Sequence, residues 1–239
     1  MNPIYKPKGK AAEYCEYALN IYTECNHGCT YCWARDMAKR FGRPWTGNVK
    51  PRKGIVEATK RQLDTWQVTG KLINLCFTCD PYPCGCDTSV TQQVIQAIKE
   101  SGNHVQILTK SGMVALRDFD LLSSNDWFGV TYTGGLNGVG CKNDYEPNAA
   151  PDADRLLSLN AAHELGIKTW VSCEPVTNES GIYLLLKHYD YIDLYRIGKL
   201  NYYPSDINWK EFGNECVRLC EEHGRNYYIK HDLRKEMEA

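Results

Sequence analysis

Three cysteines stand close together in the segment ECNHGCTYCWA, near the start of the chain. Cys25, Cys29 and Cys32 are spaced C-x3-C-x2-C, and Tyr31 immediately precedes the last of them. Thiolates in such a loop are ligands for zinc or for an iron–sulfur cluster. A structural zinc site needs four ligands, and the segment offers only His27, which has little freedom to reach the same ion. A four-iron cluster on three thiolates instead keeps one iron open for a substrate or cofactor.

The composition is that of a reduced, globular protein. The chain has 239 residues, twelve cysteines and a formal net charge of −1. It has no apolar leader and no apolar run near the roughly 18 residues of a membrane span, so we expect a cytoplasmic protein without a membrane partner. So many cysteines without an export signal indicate free thiols or metal ligands rather than disulfides. A basic surface for nucleic acid would have to be local, because the total charge is near zero.

Short apolar runs alternate with amphipathic stretches along the chain. We predict strands over 17–23, 71–78, 104–110, 127–133, 168–174 and 191–198, with a seventh over 226–232. We predict helices over 55–66, 90–102, 152–166 and 205–224. This alternation indicates an α/β protein with a parallel sheet, either a partial (β/α)6 barrel or a doubly wound sheet. One domain over 1–239 is expected, with an N-terminal extension at 1–16 and a C-terminal helix and possible last strand within 199–239.

The cysteine motif after the first strand resembles that of the radical S-adenosylmethionine (SAM) superfamily. The segments FTCDPY, ILTKSG, RDFDLL, EPNAAPDADRLLSLNAAHELGIK and EPV follow in order and resemble the branch related to spore photoproduct lyase. The resemblance covers about residues 17–176 and, more loosely, 198–201. It implies a partial (β/α)6 barrel and a [4Fe–4S] cluster on the three cysteines, with SAM on the open iron. In that superfamily the reduced cluster cleaves SAM to a 5′-deoxyadenosyl radical, which abstracts hydrogen from the substrate.

Polar residues at the predicted strand ends are candidate SAM ligands, because SAM needs partners for its carboxylate, ribose and adenine. Lys110 ends the third strand and is the natural cation for the carboxylate. The resemblance also puts a SAM-contacting lysine at this step, and it implies that Tyr31 packs near the adenine. Plain turn hydrogen bonding is the alternative role for the remaining candidates. These are Thr78, Asp80, Thr131, Thr133 and Glu174.

Four more cysteines lie in CFTCDPYPCGC, residues 76–86. In spore photoproduct lyase a cysteine near this point of the second strand returns hydrogen to the product radical, which makes Cys76 and Cys79 candidate catalytic residues. Strand alternation would direct only one of them into the barrel, unless the strand has already ended. An auxiliary metal site and a structural role are the alternatives. Cys141, in a glycine-rich loop, is a further candidate for the same duties.

The substrate is less well defined by the sequence. Six basic residues lie beside Phe41 and Trp45 within 37–53, a pattern that can bind phosphates and stack bases. A nucleotide or nucleic acid is therefore the first substrate class, and a peptide or a small metabolite is the alternative. A reducing partner of the flavodoxin or ferredoxin type is expected. A non-catalytic iron–sulfur or zinc protein, serving electron transfer or scaffolding, is the alternative to an enzyme.

Overall fold

The computed structural model describes residues 2–135 and 144–239, and it contains a seven-stranded parallel sheet. The strands are β1 (Tyr17–Leu19), β2 (Leu72–Leu75), β3 (His104–Thr109), β4 (Trp127–Thr131), β5 (Lys168–Cys173), β6 (Leu194–Ile197) and β7 (Tyr227–Ile229). The α-helices are α1 (Trp33–Arg40), α2 (Ile55–Trp66), α3 (Ser89–Glu100), α4 (Asp152–Glu164), α5 (Glu179–His188), α6 (Trp209–Glu222) and α7 (His231–Glu238). Two 3₁₀ helices span Gly9–Glu13 and Gly112–Leu121.

The strand order decides between the two predicted architectures. Each strand pairs in parallel with the next one along the chain, in the order β1 to β7. Right-handed crossovers that always step in one direction put all the connecting helices on the same face of the sheet. A doubly wound sheet would need a point where the order reverses. The sheet is thus singly wound as in a barrel, and it is open, because no pairing among the described residues joins β7 to β1.

Most predicted elements are present, with shorter strands. The predicted helix 55–66 is α2, and the structure adds α5 and α7, for which no prediction was made. Strand β2 ends at Leu75 rather than at residue 78, because Cys76 takes a left-handed backbone conformation with φ +70°. Across the described part of the chain, no helix has both the length and the apolar character that spanning a bilayer requires.

The inner face of the sheet is filled by large side chains that lie across neighbouring strands. Gly129 in β4 makes this possible, because a Cβ at this position would lie 2.3 Å from the indole nitrogen of Trp170 in β5. The Trp170 indole therefore crosses β4 and donates a hydrogen bond to the carbonyl of Ile107 in β3 at 3.0 Å. Tyr14 packs against the same indole with a centroid distance of 5.8 Å.

The N-terminal segment lies beside both edges of the open sheet. Tyr5 forms an antiparallel bridge with Ala18 in β1. At the opposite edge, the carboxylate of Glu13 accepts hydrogen bonds from the hydroxyl of Tyr228 in β7, at 3.1 Å, and from the amide of His231, at 2.8 Å. The predicted N-terminal extension thus contacts the first and the last strand, between which the sheet is open.

Candidate active site

Seven of the site residues singled out from the sequence line one cavity. The cavity has a volume of about 400 Å³ and is bordered by the carboxyl ends of the strands. The carboxyl ends of parallel strands meet at one edge of a sheet, which brings residues from distant parts of the chain together. The seven residues are Tyr31, Cys76, Cys79, Asp80, Lys110, Thr131 and Glu174.

Five other predicted site residues are described by the structure but do not line the cavity, namely Cys25, Cys29, Cys32, Thr78 and Thr133. The Thr78 hydroxyl is buried and has no hydrogen-bond partner within residues 2–135 and 144–239. Thr133 is fully buried, and its carbonyl accepts hydrogen bonds from the amides of Thr177 at 2.8 Å and Asn178 at 3.2 Å. Cys141 lies outside the described residues.

The loop with the three cysteines is fixed by contacts to neighbouring loops. His27 is only 2% exposed, and its Nε2 lies 3.0 Å from Oδ2 of Asp80. Its Nδ1 lies 3.2 Å from the carbonyl oxygen of Asn148. The amide of Thr30 donates to the carbonyl of Tyr145 at 2.9 Å. Both nitrogens of His27 are thus engaged with other groups, which argues against His27 as a fourth metal ligand.

The three thiols are partly or fully shielded from solvent. Cys29 is buried, whereas Cys25 and Cys32 are half-buried. Burial raises the pKa of Cys29 to about 11 although Lys110 lowers it, and burial also raises the pKa of Cys25. Among the described residues, no group of three or more metal-ligating side chains has the arrangement of a metal site. In chemical type, three soft thiols without a fourth ligand fit an iron–sulfur cluster with one open iron better than a closed zinc site.

Asp80 connects this loop to the ends of β2 and β3. Its carboxylate accepts hydrogen bonds from the amides of Tyr82 and Lys110 at 2.8 and 2.9 Å, and from the Thr109 hydroxyl at 2.7 Å, in addition to the contact with His27. Burial disfavours the charged carboxylate, but His27 and the hydrogen bonds outweigh it and lower the pKa of Asp80 to about 2. Asp80 therefore holds the three-cysteine loop and the ends of β2 and β3 in position through contacts with other protein groups. The prediction that Asp80 is a partner for the ribose did not include these contacts.

Glu146 is a buried anion behind the wall formed by Tyr31 and Lys110. It accepts a hydrogen bond from the Tyr31 hydroxyl and one from Nη2 of Arg155 at 2.5 Å, and Nζ of Lys110 lies 3.8 Å away. Burial disfavours the Glu146 carboxylate, yet Arg155 and Lys110 keep its pKa below the ordinary value. The Lys110 ammonium also lies 5.9 Å from the centre of the Tyr31 ring. The cation and the aromatic ring predicted to bind SAM are thus neighbours on one wall.

Glu174 occupies the opposite part of the cavity, at the end of β5. It accepts hydrogen bonds from the Tyr14 hydroxyl at 2.9 Å, from Nδ2 of Asn201 at 3.0 Å, and from Nζ of Lys230. The Tyr14 hydroxyl also lies 2.9 Å from Oγ of Ser172 and accepts from Nζ of Lys230 at 3.1 Å. Burial and the neighbouring Glu174 raise the pKa of Tyr14 well above its ordinary value. Glu174 thereby holds a lysine and a tyrosine in the wall.

Cys76 and Cys79 both line the cavity. The alternation rule does not apply to them, because β2 ends at Leu75 and the pair lies on the turn that follows. The left-handed conformation of Cys76 costs about 1–2 kcal/mol for a residue with a Cβ. The turn is held by Oδ1 of Asn20, which accepts hydrogen bonds from the amides of the next two residues at 2.8 and 2.9 Å.

The other two cysteines of this segment belong to a different environment. Cys84 is exposed and Cys86 is half-buried, and neither lines the cavity. Cys84 exchanges hydrogen bonds with the Asn26 side chain at 2.6 and 3.0 Å. The turn that carries both cysteines therefore fastens the three-cysteine loop from outside.

Several residues of the site were not identified from the sequence. Tyr14 and Lys230 lie near opposite ends of the chain, and no local pattern connects them. Lys230 directly follows β7. The expectation that polar residues at strand ends are functional, which identified Lys110, could therefore also have identified Lys230. Glu146 lies in a segment quoted only for its resemblance, and its ionic partner Arg155 lies in α4. A buried ion pair between a loop and a helix leaves no periodic pattern in the sequence.

The comparisons with known sequences find distant relatives. No family model matches the chain. It is 29% identical over 179 residues to an uncharacterized protein of Methanocaldococcus jannaschii, which covers 74% of this chain and 64% of that protein. It is 30% identical over 172 residues to an uncharacterized protein of Acidianus two-tailed virus, which covers 67% of this chain and 56% of that protein. The chain thus spans less than two thirds of the length of either relative.

The comparison with solved structures is more informative about the fold. Spore photoproduct lyase complexed with dinucleoside spore photoproduct matches with a TM-score of 0.66 and 14% identity, over 95% of this chain and 79% of that one. SuiB of Streptococcus suis bound to S-adenosylmethionine matches with a TM-score of 0.58 and 12% identity, over 89% of this chain and 45% of that one. The fold is that of radical SAM enzymes. The resemblance drawn from the cysteine motif is confirmed at the level of the fold.

Proposed function

We propose that the chain is a radical SAM enzyme in which Cys25, Cys29 and Cys32 hold a [4Fe–4S] cluster. The observation that carries the proposal is the loop itself, which holds three thiols while its Tyr31 and Trp33 line the cavity and its His27 is engaged with Asp80. When bound, the cluster supplies the electron that cleaves SAM to a 5′-deoxyadenosyl radical. Because burial raises the pKa of Cys25 and Cys29, cluster binding releases protons from these two thiols, and it requires the three cysteines to converge.

SAM binds, in this proposal, against the wall formed by Tyr31 and Lys110. The Lys110 ammonium pairs with the carboxylate of SAM, and Glu146 behind it keeps the side chain oriented. The Tyr31 ring faces the cavity and is held by its hydrogen bond to Glu146, so it provides a fixed surface for the adenine. Thr131 also lines this wall and is the remaining candidate for a ribose hydroxyl. Thr78 and Thr133 do not line the cavity, and they are therefore weaker candidates for contact with SAM.

The substrate class that we propose is a nucleotide or a nucleic acid. The support is the cavity lining, which carries five lysines. Four of them pair with carboxylates, and Lys8, which has no ion-pair partner among the described residues, is available to contact a phosphate-bearing molecule. A peptide is the second class, since SuiB has been solved with its precursor peptide, as spore photoproduct lyase has with a dinucleoside. The lysines are Lys8, Lys10, Lys110, Lys199 and Lys230, and the acidic residues are Asp80 and Glu174.

The turn after β2 supplies the hydrogen donor in this mechanism. Cys76 and Cys79 both line the cavity, so a substrate radical formed there can take a hydrogen atom from a thiol. Burial raises the pKa of Cys76 well above that of an ordinary thiol, which keeps its hydrogen in place at neutral pH. Cys141 stays a candidate for the same duty. The chain is proposed to act as one domain in the cytoplasm, with a flavodoxin- or ferredoxin-like protein as electron donor.

Anaerobic reconstitution with iron and sulfide tests the enzyme proposal. The protein is reduced with dithionite, and its electron paramagnetic resonance signal is recorded with and without SAM, together with iron counts. We expect about four irons per chain, a signal that changes shape with SAM, and release of 5′-deoxyadenosine. Cys29→Ala should lose all three, whereas Cys84→Ala, on an exposed cysteine outside the loop, should keep them.

Other outcomes would assign a different function. A cluster that does not respond to SAM, or zinc in its place, would contradict the proposal and indicate a metal-binding protein for electron transfer or scaffolding. About eight irons per chain would assign an auxiliary cluster to residues 76–86. For the substrate, a short single-stranded DNA should bind more weakly as salt rises, and Lys8→Gln should reduce that dependence. If DNA binding changes neither with salt nor with the Lys8→Gln substitution, an uncharged or peptide substrate is favoured.

A further inference from the structure

The turn after β2 carries two cysteines that share one wall of the cavity. Cys76 is 4% exposed and Cys79 is half-buried, and both line the same cavity as Tyr31 and Lys110. The two thiols are separated by only two residues. The pair is therefore isolated from bulk solvent but open to whatever small molecule enters the cavity.

The backbone of the turn brings both cysteines to the cavity wall. Cys76 still pairs with β1, since its amide donates to the carbonyl of Leu19 at 2.8 Å, and its φ of +70° then reverses the chain. The side chain of Asn20 closes the turn by accepting the amides of Phe77 and Thr78. In this arrangement Cys76 and Cys79 are the two ends of a C-x2-C segment, and both side chains line the same cavity.

The two sulfurs have different surroundings. Sγ of Cys79 accepts a hydrogen bond from the backbone amide of Tyr22 at 3.4 Å, and Cys79 is the more exposed of the two cysteines. Cys76 is enclosed by the apolar core, and burial keeps it as a thiol. Cys79 is thus the sulfur suited to attack a disulfide, and Cys76 is the sulfur suited to resolve the mixed disulfide.

We propose that Cys76 and Cys79 form a redox-active dithiol that closes to an intramolecular disulfide in the cavity wall. With oxidised glutathione as the oxidant, the Cys79 thiolate attacks one glutathione sulfur and releases the first glutathione thiolate. The Cys76 thiol then gives its proton to solvent and attacks Sγ of Cys79, which releases the second one. One disulfide bond is formed and one is broken, two cysteines lose two electrons to one oxidised glutathione, and the two protons end on the two glutathione molecules.

The consequence for the reaction rests on the proposed function. Only the reduced pair presents an S–H bond to the cavity, so closure of the disulfide removes the hydrogen donor without altering the residues assigned to SAM. Cys84 and Cys86 are a built-in control, because they lie on the following turn outside the cavity.

Mapping of the thiols in graded glutathione buffers tests the inference on the full-length protein. Free thiols are alkylated under acid-quenched, anaerobic conditions, and the chain is cleaved before aspartates. Cleavage before Asp64, Asp80 and Asp87 gives one fragment with only Cys76 and Cys79 and another with only Cys84 and Cys86. We expect the first pair to close to a disulfide at a glutathione ratio about tenfold less oxidising than the second pair requires.

Single variants test the order of attack. In Cys76→Ser, the remaining Cys79 should keep glutathione as a stable mixed disulfide. In Cys79→Ser, the buried Cys76 should stay a free thiol. Three results would each overturn the inference. They are alkylation of both wild-type thiols at every glutathione ratio, closure that needs a ratio as oxidising as Cys84 and Cys86 need, and a disulfide with a cysteine of the three-cysteine loop. Cleavage of SAM is measured separately, so a failure of the proposed enzyme function would be seen independently of the disulfide.

Discussion

The imidazole of His27 lies 3.0 Å from the carboxylate of Asp80, and this contact orients the three-cysteine loop relative to the sheet. His27 stands between the first two cysteines, whereas Asp80 follows β2 and also accepts the amide of Lys110 after β3. One buried carboxylate thus fixes the loop and the lysine assigned to SAM in a common frame. The three-cysteine loop and Lys110 keep a fixed relative position because Asp80, which lies outside the cysteine motif, contacts both.

We expect Asp80→Ala to destabilise the protein by about 3–5 kcal/mol, because His27 and three hydrogen-bond donors lose their buried acceptor. The free energy of unfolding in urea measures this loss. Asp87→Ala removes an exposed carboxylate that bonds only to Ser89 among the described contacts, and should cost much less. Equal losses in the two variants would show that Asp80 is not the connecting residue.

Replacement of Arg155 by Met should leave Glu146 as a buried charge with only the more distant Lys110 beside it. Both Arg155 and Glu146 are almost fully buried, so we expect a loss of about 3–5 kcal/mol in unfolding free energy. Arg218→Met is the matched control, because Arg218 pairs with Glu215 and Glu222 on the surface, where solvent screens the charges, and it should cost much less. A loss at position 155 as small as the control's would contradict the assigned ion pair.

Asp152 predicts a pH dependence of stability. Burial raises its pKa from 3.8 to about 6 although Arg155 opposes the shift, and neither carboxylate oxygen has a hydrogen-bond partner in the described chain. Because the folded pKa is the higher one, the stability present below pH 3.8 is lost as pH rises through 6. Asp152→Asn should therefore stabilise the protein by about 1–2 kcal/mol at pH 7.5 and have little effect at about pH 4.

Melting temperatures at the two pH values measure this difference. Asp154→Asn controls for the loss of a negative charge in the first turn of the same helix. The prediction for Asp152 is wrong if its variant changes stability equally at both pH values.

Lys110→Gln should weaken SAM binding about ten- to a hundredfold, since it removes one hydrogen-bonded cation from the proposed carboxylate contact. Equilibrium binding to the anaerobically reconstituted protein measures the change. Lys53→Gln removes an exposed lysine outside the cavity and should leave the affinity unaltered. If both variants bind SAM like the wild type, another residue must neutralise the carboxylate.

The fold was largely predictable because parallel strands and amphipathic helices leave periodic apolar patterns. The helix at 55–66 and the positions of all seven strands follow from those patterns. The end of β2 could not be predicted from those patterns, because the left-handed turn at Cys76 depends on a hydrogen-bond acceptor, Asn20, in the connection after β1. Strand ends indicated Lys110 and Glu174, but the partners that hold them, Glu146 and Tyr14, are set by tertiary contacts that no local spacing encodes.

The wall around Glu174 joins the beginning of the chain to its end. Tyr14 lies 3.1 Å from Lys230, and both bind Glu174. During synthesis, that wall stays incomplete until Lys230 has emerged from the ribosome, long after the three-cysteine loop has appeared. The three-cysteine loop is therefore made long before its enclosure is finished, so a cluster of the kind proposed for it can be fully enclosed only after Lys230 has been made.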